Sequence, residues 1–183
     1  LFTDEPAAAN PPWSDGFPKL FKEKYGYDIT DRLTELFETG EESARTRIDY
    51  FDFWSALFAK RYFETMRVWC NKNGMAFAGH LGGDNGIGGL KKHGYAEPFR
   101  MYREMDIPGI DAIWRQIFPG GRKERELNFD GESDGNYHFP RWASSVAHQA
   151  GSPWTLSESF AVYGQGLTPS EMKWIVNYQL ARG

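Results

Sequence analysis

The sequence predicts an α/β fold: a partial (β/α)8 (TIM) barrel in which parallel strands alternate with crossover helices. Three observations carry this. Short apolar runs alternate with helical segments, strand then helix, four times along the 183 residues. No convincing hairpin joins two of the apolar runs, and no internal repeat is present. Glu5, His80, Asp111 and Glu158 fall at or near the ends of the four runs, and barrels gather functional residues at C-terminal strand ends. A doubly wound open sheet shares the alternation, but its first βα turn usually carries a phosphate-binding glycine pattern, and none follows Glu5. Four units make half a barrel, and residues 1–183 are assigned to that one partial domain.

The elements follow in order. Residues 1–5 read as the end of a strand, so the chain is expected to be a piece of a larger protein. From Ser14 to Tyr25, Phe17, Leu20 and Phe21 share one helical face. A short helical piece begins at Asp28 and ends near Gly40. Ser43 to Asn73 carries the longest helical pattern, with Ile48, Phe51, Trp54, Leu57, Phe58, Tyr62, Met66 and Trp69 at helical spacing. Asn73-Gly74 stops it. Met75 to His80 reads as a buried strand, Gly82 to Gly89 as a glycine-rich loop, and Ala96–Glu104 as a short polar helix. Ile107 to Trp114 is the third strand, and residues 118–138 read as a long surface loop. Phe139–Ala150 is helical up to Gly151, and Trp154 to Phe160 holds the fourth strand. Thr168-Pro169-Ser170-Glu171 is a capping box opening a helix that runs to about Ala181.

Composition narrows the function. A net charge of −4 argues against a nucleic-acid binder, which would show a basic stripe. The single cysteine, Cys70, excludes an internal disulfide or a cysteine-rich zinc site, and reads as a buried thiol. No apolar run approaches the ~20 residues that span a membrane. Aromatic residues make up 16% of the chain, which suits both stacking on sugars and filling a core. The four histidines lack metal spacing, and no Gly-x-Ser-x-Gly elbow is present, so no metal residue is assigned and a zinc or serine hydrolase is disfavoured.

What remains is a set of carboxylates at strand ends. Glu5, beside Asp4 and before Pro6, is placed to act as a general acid; the plainer reading is a solvated loop or a cap. Glu158 lies between two serines in an apolar run, where a charge must be paired or functional. It is either a nucleophile or general base, or the partner of an arginine such as Arg141 or Arg115. His80 either orients a carboxylate or binds a sugar hydroxyl, or is structural. Asp84 is expected to face the cleft from the glycine-rich loop, together with Asn85. Asp111 either binds substrate or caps its strand. Trp114, Trp154 and Tyr163, with Trp13 and Trp142, are candidate sugar platforms or core.

Phe2-Thr3-Asp4-Glu5-Pro6, Tyr25-Gly26-Tyr27-Asp28-Ile29, Gly79-His80, Pro108-Gly109-Ile110-Asp111, Ser144-Ser145-Val146-Ala147-His148 and Ser157-Glu158-Ser159-Phe160 together resemble one group of enzymes. These are the bacterial (β/α)8-barrel glycoside hydrolases that include α-L-rhamnosidases and β-galactosidase-like enzymes. The resemblance implies that the chain covers the fourth to seventh βα units, with Glu5 as acid/base and Glu158 as nucleophile. It implies a carbohydrate substrate and the rest of the parent barrel as partner; the residues expected to bind that substrate are Asp4, His80, Asp84, Asp111, Trp114, Trp154 and Tyr163. A secreted or periplasmic location also follows from it. Rhamnosidase-like members imply instead an inverting site assisted by calcium, although the primary expectation is no cofactor. A non-catalytic carbohydrate-binding barrel is the alternative from another class. The chain departs from the group at Asp4, where asparagine is usual, and at Leu81-Gly82-Gly83-Asp84, where a glutamate is frequent.

Overall fold

The computed structural model describes residues 1–8, 11–84, 86–117 and 138–183. Asn85 and nearly all of the expected loop at 118–138 lie outside the described residues. Four parallel strands form one sheet: β1 (Phe2–Asp4), β2 (Ala78–His80), β3 (Ile107–Ala112) and β4 (Leu156–Ser159). Their spatial order is their chain order, β1-β2-β3-β4. Doubly wound sheets reverse their order at a switch point, and the four described strands do not.

The helices are α1 (Phe17–Tyr25), α2 (Glu41–Phe58), α3 (Thr65–Lys72), α4 (Ile87–Lys92), α5 (Pro98–Arg103), α6 (Pro140–Gln149) and α7 (Pro169–Arg182). A 3-10 helix, Ile29–Leu36, begins where the Asp28 carboxylate accepts the Thr30 N–H at 3.1 Å. The α7 capping box forms as the sequence predicts, with Thr168 and Glu171 bonding each other's backbone. Such a cap contributes about 1 kcal/mol.

Between β1 and β2 the expected single helix over 43–73 is interrupted. A π-helical segment, Ala59–Glu64, separates α2 from α3. A wider turn rotates the side chains that follow it relative to an α-helical register. Ala59, Phe63 and Cys70 are thereby buried, whereas Trp69 and, earlier, Ile48 are exposed despite their place in the apolar stripe. The π segment also turns Tyr62 towards β1, where its hydroxyl meets Thr3 Oγ1 at 3.0 Å. The glycine-rich loop is shorter than expected, because α4 begins at Ile87.

Three apolar clusters hold the helices to the sheet and to each other. Phe17 and Phe21 of α1 enter an aromatic cluster with Tyr50, Phe53 and Trp54 of α2. Phe63, Cys70, Phe77, Leu81 and Tyr102 form the second, and Ile110, Ala112, Ala143 and Ile175 belong to the third. Each fully buried Phe or Leu contributes roughly 1.5–3 kcal/mol by desolvation.

These clusters also orient the sheet. Ile110 and Ala112 face the helices, as does Thr3 through its bond to Tyr62. Side chains alternate along a strand, so Asp111 and Asp4 face the other way. His80 pairs in register with Asp4, and Glu158 with Asp111, which puts all four on the face away from the helices.

Candidate active site

His80 lies at the centre of that face, almost wholly buried. Its Nε2 is 2.9 Å from Glu158 Oε2 and 3.6 Å from Asp4 Oδ1. Its Nδ1 points at Asp111 Oδ2, 3.8 Å away, and has no hydrogen-bond partner among the described residues. Glu5, His80 and Asp111 each present an atom within 4.8 Å of the others, as do Asp4, His80 and Glu158. Asp84 completes the group from the loop after β2, its Oδ2 accepting the Asp111 backbone N–H at 3.1 Å.

The strand ends that present these groups carry unusual backbone. Glu5, immediately after β1, has φ +44°, and Phe160, immediately after β4, has φ +78°. Trp114 and Arg115, just past β3, lie at φ +52° and +59°. Left-handed backbone at non-glycine residues costs about 1–2 kcal/mol each and concentrates where a side chain must be aimed.

Burial and mutual repulsion set the protonation of the inner acids. Asp111 is pushed up to about 9, first by burial and then by Glu5, Asp84 and Glu158. Asp84, fully buried, is held well above the usual carboxylate range by burial and by the charge of Glu5, against the lowering effect of the Asp111 N–H. Burial likewise raises the Tyr102 phenol beside them. The site therefore holds more carboxyl groups than negative charges at neutral pH. Asp84 Oδ1, Asp111 Oδ1 and the Tyr102 hydroxyl are buried with no hydrogen-bond partner among the described residues. Buried polar atoms left this way are uncommon in a purely structural setting.

Of the sequence-predicted residues, Asp4, Glu5, His80, Asp84, Asp111 and Glu158 come together. Glu158 meets His80, whereas Arg141 donates to the Arg182 carbonyl at 2.5 Å. The aromatic candidates divide. Trp114 is 48% exposed just past β3, on the same rim as the carboxylates. Trp154 is 66% exposed but precedes β4, so it sits at the opposite strand end from the cluster. Tyr163 is core: it is buried, its hydroxyl donates to the Ile117 carbonyl at 2.7 Å, and it packs with Phe160. A cavity of about 290 Å³ between α6, α7 and β4, lined by Ile110, Leu156, Ser157, Val176 and Leu180 among others, lies on the helical side and not at the cluster.

Sequence reading missed His93. The imidazole Nδ1 donates to the Gly89 carbonyl at 2.8 Å and the ring stacks on Tyr95, whose hydroxyl accepts the Gly82 N–H. A Cβ on Gly82 would lie 3.1 Å from His93 Nε2 and 3.2 Å from Glu5 Oε2, so only glycine lets both approach the loop. The run of glycines after Gly79-His80 was the available signal.

The resemblance also implies a calcium ion. Calcium takes six to eight oxygen ligands. The two close groupings among the described residues each combine the His80 imidazole with two carboxyl groups.

A protein of Formosa agariphila described as "Putative beta-glucuronidase" is 26% identical to this chain over 181 residues. The match covers 93% of the chain, which spans 13% of that relative's length. No family model and no solved structure matches.

Proposed function

We propose that this chain is part of the catalytic (β/α)8 barrel of a glycoside hydrolase that uses two carboxylates. The observation that carries this reading is the convergence of Asp4, Glu5, Asp111 and Glu158 around one buried histidine, at the ends of four adjacent parallel strands. The distant likeness to a protein named for β-glucuronidase supports it. Consecutive parallel strands without order reversal suit one wall of a barrel, and the sheet face away from the helices would be the barrel interior.

Glu5 protonates the glycosidic oxygen as the bond to the anomeric carbon breaks. Its backbone strain and the glycine at position 82 aim the carboxyl into the cleft. Glu158, hydrogen-bonded to His80, attacks the anomeric carbon or takes the proton of an attacking water. Which of the two occurs follows from the carboxyl separation in the substrate complex. About 5–5.5 Å gives retention through a covalent intermediate, and about 6.5–9.5 Å leaves room for water and gives inversion. Trp114, on the carboxylate rim, is placed to stack on a sugar ring.

The test is hydrolysis of a panel of aryl glycosides, glucuronides included, by the intact parent protein and by Glu158→Gln. Loss of about 10²–10⁴-fold in kcat with substrate binding retained is expected. Undiminished turnover by Glu158→Gln would remove Glu158 from the reaction.

A further inference from the structure

We propose that His93 is a substrate-binding residue whose Nε2, beside Glu5 over the bare α-carbon of Gly82, takes a hydroxyl of the leaving sugar. The inference rests on the reading of Glu5 as the acid and adds a specificity for the group that departs.

The His93 ring is held at every point but one. Its Nδ1 lies 2.8 Å from the Gly89 carbonyl, and a carbonyl only accepts, so Nδ1 carries the proton of that bond. The ring stacks on Tyr95, with 6.2 Å between centroids and 16° between planes, and Tyr95 is itself buried. The backbone is fixed as well. The His93 carbonyl accepts the Ala8 N–H at 3.1 Å, and the Gly94 carbonyl accepts the Trp54 indole N–H at 3.0 Å. Nε2 alone of the ring nitrogens has no partner among the described residues.

Two glycines make room for this arrangement. A Cβ on Gly83 would lie 2.9 Å from His93 Nδ1 and 2.7 Å from the Gly89 carbonyl carbon, so a side chain there would unseat the ring. A Cβ on Gly82 would stand 3.1 Å from His93 Nε2 and 3.2 Å from Glu5 Oε2, so both atoms overlook one spot. They form neither a hydrogen bond nor an ion pair with each other. Too far apart to bond directly, yet close to one shared point, they are spaced for a single oxygen to bridge them.

A sugar hydroxyl suits that gap whichever way the protons lie. It donates to an unprotonated Nε2 and accepts from a protonated one, so no charge state of His93 is required. The fold sets which sugar it belongs to. His93 comes from the connection after β2, is tied to the connection after β1 next to Glu5, and belongs to neither grouping around His80. Glu158 reaches His80 from β4. The anomeric carbon lies between the two carboxyl groups, and the glycosidic oxygen departs on the side of the acid. A group beside the acid and apart from its partner meets the sugar that leaves.

The test uses the intact protein and a disaccharide whose non-reducing sugar is that of an aryl glycoside the wild type cleaves. Analogues lacking one hydroxyl of the leaving sugar complete the set. One deoxygenated position is expected to cost the wild type about 10-fold in kcat/KM. If no position costs more than about twofold, the inference is overturned without recourse to any variant. His93→Phe keeps a ring against Tyr95 and removes Nε2. Its kcat/KM on the disaccharide relative to the aryl glycoside should fall about 10-fold, and the deoxygenated analogue should carry no further penalty. His93→Gln, which restores a polar group near the Nε2 position, should recover part of the ratio. An equal loss on both substrates would make His93 structural and refute the binding role, leaving the proposed function in place. Failure of the wild type on every glycoside would instead remove the proposed function, and this inference with it.

Discussion

Asp52 and Asp111 show how differently one side chain is treated in two regions of the molecule. Asp52, on the outer side of α2, accepts hydrogen bonds from Tyr25 at 2.7 Å, Lys24 at 3.1 Å and Arg100 at 2.6 Å. Those partners hold its carboxyl far below the usual range. Asp111, deeper and on the opposite side of the fold, faces acids and an imidazole and is held far above that range. A carboxylate that only stabilises is surrounded by donors. One that is kept neutral against its nature stands in a region arranged for something other than stability.

The largest expected effect that sharpens this contrast is on activity. Glu158→Gln should abolish most turnover while changing the melting temperature little, because the side chain is partly exposed and its loss empties no core volume. Thermal melts alongside the kinetics check both halves. Next in size is Asp111→Asn. A carboxyl whose folded pKa lies above its unfolded value favours the native state only while protonated. Stability should therefore decline between the unfolded pKa of about 4 and the folded value of about 9. The asparagine variant removes that decline and should be more stable than wild type at pH 8, with little difference at pH 4, by denaturant titration. Asp52→Asn should act with the opposite sign and a smaller size. Its stabilisation is present above pH 4 and is lost as pH falls through the depressed folded value, so the variant should lose about 1 kcal/mol at pH 7 after screening. If the two aspartates gave the same sign at neutral pH, the contrast would fail. Smallest is Thr168→Ala, which removes the α7 cap far from both regions and should cost about 0.5–1 kcal/mol at any pH from 5 to 8.

The carboxylates were legible because a parallel strand has a direction. An acid or histidine at the end of an apolar run can be placed on one rim without knowing any contact. Glu5, His80, Asp111 and Glu158 were readable in this way, and Asp84 through its loop. Aromatic residues give no comparable signal. Trp154 lies two residues beyond the wrong end of β4, and Tyr163 is fixed by the backbone of Ile117, 46 positions away. The π segment at Ala59–Glu64 has no local sequence mark, since its residues are ordinary helix formers. His93 approaches Glu5 only because Gly82 brings the two together across 88 positions of chain. Directional and local features are visible in a sequence, whereas long-range side-chain neighbours are not.

Gly79 carries a consequence for stereochemistry. A Cβ there would lie 2.3 Å from the Thr3 carbonyl oxygen, so even alanine would wedge β1 away from β2. Asp4 and Glu5 ride on β1, while His80 follows Gly79 directly and Glu158 bonds to His80. In a two-carboxylate hydrolase the gap between acid and partner separates retention from inversion by as little as about 1 Å. The bare α-carbon at position 79 thus acts as a spacing gauge between the two halves of the site. An insertion in any of the connecting loops would leave that gauge untouched, and one methyl group at position 79 would not.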